Sequence, residues 1–254
     1  MNIKHIRVFG PCLVREWELQ AWEQSILDRW NQINLYSMSR GVNRFKGLAI
    51  ALSEIHDRYR KIDDLERLSA WVAASDELSN ASLKREIENR PSVCLEKALR
   101  WSESVNAAIR QLPPTHPFPL VESALRYAYG HSDMVVVSGA DRRSVEEEWT
   151  RGGLLDYVDE VMAQDSGSKH SCIAMLLDRG YVHERVLMCG DAPGDLRAAR
   201  ETGVCFYPIL AGREEESWRE WIDFGFARFL SGNYRDYEQE KIRIFYENLG
   251  EQGE

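Results

Sequence analysis

Three stretches of this chain end on groups that can act on a phosphoryl ester. MVVVSGAD (134–141) is an apolar run ending on Ser138, with Gly139 behind it. AQDSGSKHSC (163–172) presents Lys169 where a helix begins, and RVLMCGDAPGD (185–195) is a second apolar run ending on Asp191 and Asp195. A hydroxyl and an ammonium suit phosphoryl oxygens, while the carboxylates suit a hard cation such as Mg2+ that neutralises them. Taken singly, each residue has an ordinary structural role: a turn serine, a solvated lysine, aspartates that cap the next helix. Taken in order they describe half of a phosphoryl-transfer site. The spacing agrees, since 169 − 138 = 31 and 191 − 169 = 22 residues each leave room for a helix and a strand.

The elements that must position these groups alternate in type. The pattern predicts helices over 120–129, 143–152, 170–179 and 194–202, with strands over 134–137, 159–163, 186–189 and 204–209. Short apolar runs between helices mark a parallel sheet covered on both faces, in which ligands bind at the carboxyl ends of the strands. The strands are expected to lie parallel in one sheet, and to end near Val137, Ala163 and Cys189. From Ala21 to Gln111 the period is helical, with Trp22, Ile26 and Trp30, then Leu48, Leu52 and Ile55, recurring every three or four residues. PPTHPFP (113–119) closes that region as a linker. Four segments follow: 1–19, an N-terminal stretch; 20–112, helical; 113–212, α/β; and 213–254, a helical extension rich in aromatic residues.

Bulk properties set limits. Net charge is −9 with no Lys/Arg tract, which speaks against nucleic acid as a partner. The apolar stretches fall far short of the ~20 residues needed to span a bilayer, and no signal-peptide core opens the chain, so a cytoplasmic protein without a membrane partner is expected. The five cysteines (12, 94, 172, 189, 205) form no CxxC and read as small buried hydrophobes.

At these residues the chain resembles the haloacid dehalogenase superfamily, mostly Mg2+-dependent phosphatases that work through an aspartyl-phosphate. VVVSG with Ser138 is similar to its second motif, Lys169 before a helix to its third, and GDAPGD with Asp191 and Asp195 to its fourth. The resemblance covers roughly residues 115–210. It implies an α/β fold, a Rossmann-like parallel sheet core with an α-helical cap inserted near the N-terminus over 20–112, as in the phosphoglycolate phosphatase-like branch. It implies roles too: Ser138, Gly139 and Lys169 on the phosphate, Ser138 and Lys169 as catalytic groups, and Asp191 and Asp195 on Mg2+. Strands that proved antiparallel, or that fell in different sheets, would sink the family assignment.

The family's first motif, a strand followed by DxDGT that carries the nucleophile, has no counterpart. Forcing KHIRVFGPCLV onto it puts Gly10 at the nucleophile and Cys12 at the acid/base, with Pro11 between. Glycine cannot attack phosphorus, and a thiol is a poor acid for a leaving alkoxide. A second alignment makes the segment a helix leading into the cap, with Ile3, Ile6, Phe9, Leu13 and Trp17 in helical rhythm and a kink at Gly10–Pro11. A misplaced start, a truncation and a degenerate motif all remain open. In the cap, Arg40, Arg44 and Lys46 cluster in SMSRGVNRFKG and would suit an anionic small molecule. The expectation is a phosphomonoester hydrolase acting on a small phosphorylated metabolite, inactive or truncated as written. The alternatives are a non-catalytic phosphate-binding or regulatory protein and a non-functional fragment; substrate and oligomeric state are not legible.

Overall fold

The computed structural model describes residues 2–250 and divides into two units, Met1–Pro113 and Pro114–Glu254. The boundary falls between the two prolines that open the linker, where neither residue can donate a backbone hydrogen bond.

The first unit is helical. It opens with α1 (Asn2–Lys4), a π-helical stretch His5–Phe9 and α2 (Gly10–Glu16), which run on without a break. The π stretch lies where Pro11 would otherwise disturb the ladder, and Gly10 N–H donates to His5 O across the wider turn. The segment is therefore a helix rather than a strand ending in a degenerate loop. Only part of its expected stripe is buried: Phe9, Leu13 and Trp17 join the core, while Ile3 and Ile6 are exposed.

Next come α3 (Glu23–Leu35), α4 (Arg44–Arg58), α5 (Leu65–Ala74), α6 (Asn80–Asn89) and α7 (Val93–Ile109). Side-chain caps start three of them: Asn43 accepts from Phe45 N–H, Ser79 from Ser82 N–H and Ser92 from Leu95 N–H. The core closes around Trp30, Phe45 and Trp101, all essentially buried, with Trp101 Nε1 donating to Phe9 O at 3.2 Å. α3 and α4 touch at Gly47, where a Cβ would stand 2.3 Å from Asn34 Oδ1. Only a glycine allows that approach.

The second unit alternates. Its order is α8 (Val121–Tyr129), β1 (Val135–Val137), α9 (Arg142–Arg151), β2 (Glu160–Met162), α10 (Lys169–Asp178), β3 (Leu187–Gly190), α11 (Pro193–Thr202) and β4 (Cys205–Pro208). It ends with α12 (Glu214–Glu220), a π turn Trp221–Gly225, α13 (Phe226–Leu230) and α14 (Arg235–Asn248). Asp141 and Ser168 cap α9 and α10 through the amides of Ser144 and Ser171, and Gly203 closes α11 in the left-handed conformation. The residues after 213 pack into this unit through Trp221, Phe226 and Phe229, against Ala124, Ala128 and Tyr207.

The strands correct one expectation. They do not form one sheet but two parallel pairs, β1 with β2 and β3 with β4, each in its own two-stranded sheet. A strand buried in the middle of a sheet is covered on both sides, and β4 is buried at every position; β3 is only half-buried throughout, and so are Val135 and Val137 of β1. The fold is mixed α/β with small parallel sheets.

Candidate functional site

Lys169 and Asp195 form an ion pair through Nζ and Oδ1. Lys169 is the first residue of α10, just beyond β2, and Asp195 lies in the first turn of α11, just beyond β3. The starts of α10 and α11, the helices that follow β2 and β3, are therefore brought together. The α11 amides set the geometry: Ala192 N–H donates to Asp195 Oδ2 at 3.0 Å, a reciprocal bond across the first turn that locks the carboxylate.

Asp195 is nearly inaccessible, and burial raises its pKa above the ordinary aspartate range; Lys169 opposes that rise and the charge of Asp191 adds to it. Asp191 and Asp195 thus feel one another, as two carboxylates at the end of one strand should. Gly190 makes this packing possible, since a Cβ there would come within 2.4 Å of Asp195 Cβ and Cγ. Sequence reasoning did not single it out, although the GD dipeptide was the signal available.

Ser138 ends β1 as expected. Its N–H donates to Met162 O at 2.9 Å and its Oγ accepts from Ala140 N–H at 3.2 Å, which makes it a turn hydroxyl. Gly139 is exposed beside it, and space for a Cβ is open there.

Magnesium prefers near-octahedral oxygen ligation, commonly one or two carboxylates completed by water and phosphate. Asp191 and Asp195 are the right kind of donor. Both Asp195 oxygens are engaged, however, one by Lys169 and one by Ala192 N–H. Among the described residues no group of three or more His, Cys, Asp or Glu side chains gathers to hold a metal. The residues present do not make up a magnesium site by themselves.

In the helical unit, Arg40 is buried and its Nη1 donates to Leu35 O at 2.8 Å. Arg44 lies over the Phe9 ring and donates to Asn106 Oδ1 at 2.6 Å and Ser102 Oγ at 3.1 Å. Burial pulls the Arg44 pKa down. Lys46 is exposed. His5 stacks on Phe9 and Trp30, and burial brings its pKa down to about 4, with Arg40 and Arg44 adding to the effect. The cysteines are free thiols, and burial pushes Cys94 and Cys189 up to about 12, which leaves them unreactive.

No helix among the described residues is long and apolar enough to cross a membrane. No curated protein matches the chain. The model of the haloacid dehalogenase-like hydrolases, a family that generally uses Mg2+, matches residues 72–209. That match is more than half of the chain, and it takes in all four strands together with Ser138, Lys169, Asp191 and Asp195. The chain belongs to the haloacid dehalogenase-like hydrolase family.

Proposed function

We propose that this chain carries the phosphate and metal side of a phosphomonoester hydrolase site, built on a Rossmann-like core, for a small phosphorylated metabolite. The observation that carries the reading is the meeting of Lys169 with Asp195, beside Asp191, at the starts of the helices that follow β2 and β3. In this reading Ser138 and the Gly139 amide take phosphoryl oxygens, and Lys169 balances the charge that grows on the attacked phosphorus. Asp191 would be the first oxygen ligand for a bound Mg2+, with Asp195 behind it, and further ligands would have to come from the substrate or from a group not among these residues. The helical unit acts as the substrate-selecting cap, with Arg40, Arg44 and Lys46 as its basic candidates. Of these, Lys46 is the exposed one.

Turnover needs a nucleophile in line with phosphorus, and positioning alone does not replace it. No aspartate occurs in residues 1–27, and no third carboxylate gathers at the site among the described residues. Purified protein with Mg2+ and an aryl phosphate is therefore expected to show no hydrolysis above an Asp191→Ala control. Mg2+-dependent hydrolysis lost in that control would overturn the inactivity and place a nucleophile within this chain.

A second reading, a non-catalytic phosphate-binding or regulatory protein, is favoured by the engagement of Asp195 with Lys169. It predicts saturable calorimetric binding of inorganic phosphate without turnover, weakened by Lys169→Met.

A further inference from the structure

A cavity of about 320 Å³ lies in the second unit, between the turn that leads into α8 and the start of α12. Such a volume suits a small organic ligand. One wall is Phe118 and Pro119, with Phe118 half-exposed. That wall is a fixed turn: Val121 N–H donates to Phe118 O at 3.3 Å, and Leu120 sits in the left-handed region at φ 68°, a conformation rare outside glycine. The opposite wall is the loop after β4 and the first turn of α12, from Gly212 to Glu216, joined by Arg219. Side chains hold it on both flanks. Asn248 accepts from Ala211 N–H at 3.0 Å and donates to Ala211 O at 3.2 Å, while Ser217 Oγ accepts from Leu210 N–H at 3.0 Å and donates to Arg213 O at 2.9 Å. Both walls are thus set before any ligand arrives, which lowers the entropy lost on binding.

Three glutamates against two arginines give the lining a net charge of −1. Arg213 pairs with Glu216 at 2.7 Å and Arg219 with Glu215 at 2.9 Å, exposed pairs at helical spacing that neutralise each other. The remaining charge sits on Glu214. It is 8 % exposed, and among the described residues its bond is to a backbone amide, Oε1 accepting from Gly212 N–H at 3.1 Å. One amide answers only part of what a buried carboxylate loses with its water.

We propose that this cavity binds a small organic cation, an ammonium or guanidinium group on an apolar stem, with the charged head on Glu214 and the stem against Phe118 and Pro119. An aromatic ring beside a cation adds its own attraction. A hard metal ion fits less well, because it requires several oxygen ligands, and Glu215 and Glu216 are each held by an arginine. The same head group occurs on free alkyl amines and on the basic side chains of a peptide. The cavity shares no residue with Ser138, Lys169, Asp191 or Asp195, so its test is independent of hydrolysis.

The probes are n-butylammonium, n-butylguanidinium, the neutral n-butanol and the peptide acetyl-Gly-Lys-Gly-amide, titrated into the full chain by calorimetry and by NMR of the backbone amides. Saturable binding of both cations is expected, with shifts concentrated at Phe118 and at Gly212–Glu216, and with n-butanol roughly tenfold weaker. Glu214→Gln, which can keep the bond to Gly212 N–H, should also lower cation affinity roughly tenfold. Phe118→Ser, at an exposed position where folding is not at stake, should lower it about threefold. Peptide binding as tight as that of n-butylammonium assigns the cavity to a basic side chain of a partner, and binding of the free cations alone assigns it to a small amine. No saturable binding, equal binding of n-butanol, or undiminished affinity in both variants would overturn the proposal.

Discussion

Replacing Lys169 by methionine keeps the length of the side chain and removes the cation paired with Asp195. Asp195 has 2 % of its surface exposed and would be left charged in a site that already raises its pKa. Removing one partner of a buried pair costs about 3–5 kcal/mol. The Lys169 side chain is 32 % exposed, so solvent screens part of the attraction, and about 2–3 kcal/mol is the reasoned figure near pH 7.5. The pH dependence carries the test. A carboxyl whose folded pKa is raised binds its proton more tightly when folded, so its penalty is absent below the unfolded pKa and grows as pH rises through the folded one. Lys169 holds the Asp195 pKa down, and without it the pKa climbs further. The variant should therefore recover much of its lost stability in acid, above the ordinary aspartate pKa of about 3.9. Urea melts of wild type and Lys169→Met at pH 7.5 and pH 5, followed by a probe in the second unit, measure both differences. On an Asp195→Asn background, which can keep the Ala192 bond, the lysine replacement should cost little. Equal losses at both pH values, or an equal cost on the asparagine background, would refute the reasoning.

His5 titrates in the opposite sense: its folded pKa is lowered from 6.5 to about 4 by burial and by Arg40 and Arg44, so the stability it contributes is present above pH 6.5 and lost as pH falls to 4. That loss is about 3 kcal/mol at most and should vanish in His5→Phe, with an NMR titration of the ring reporting the midpoint directly. Gly190→Ala forces a Cβ to within 2.4 Å of Asp195 and should destabilise the second unit by about 1–3 kcal/mol in denaturant melts, leaving the helical unit's transition unmoved.

Local signals in the sequence were strong where local physics decides. Apolar runs before a turn place strands at Val135–Val137 and Leu187–Gly190, within a residue or two of the expected bounds. Ser168 stops the chain before Lys169 as a hydroxyl N-cap does anywhere. The GDAPGD run correctly marked a strand-to-helix turn bearing two carboxylates. What could not be read depends on partners distant in the chain. Asp195 meets Lys169 across 195 − 169 = 26 residues. Arg44 finds Asn106 across 62 residues, and no periodicity announces that a guanidinium will be drawn onto a phenylalanine ring. Sheet order is equally non-local: hydrophobic pattern identifies a buried strand without naming its neighbours.

The split sheet fails the test of one continuous sheet, and it is the match over residues 72–209 that shows the family. Each pair is parallel, and the chain passes from β2 to β3 through α10, as a parallel sheet connected by helices requires. One edge of each pair is sealed, on β2 by Arg142 and on β4 by Glu238 and Tyr234, so neither pair is built to grow on that side. The other edge of each lies on β1 and β3, the strands that lead to Ser138 and to Asp191. An isolated two-stranded pair is marginal in water, so both pairs lean on the helices around them. Cys172 and Leu176 of α10 pack against β1 and β2, while α14 lies along β4. The thin pairing and the shortage of carboxylates beside Lys169 consequently fall on the same elements. Stability and chemistry are limited there together.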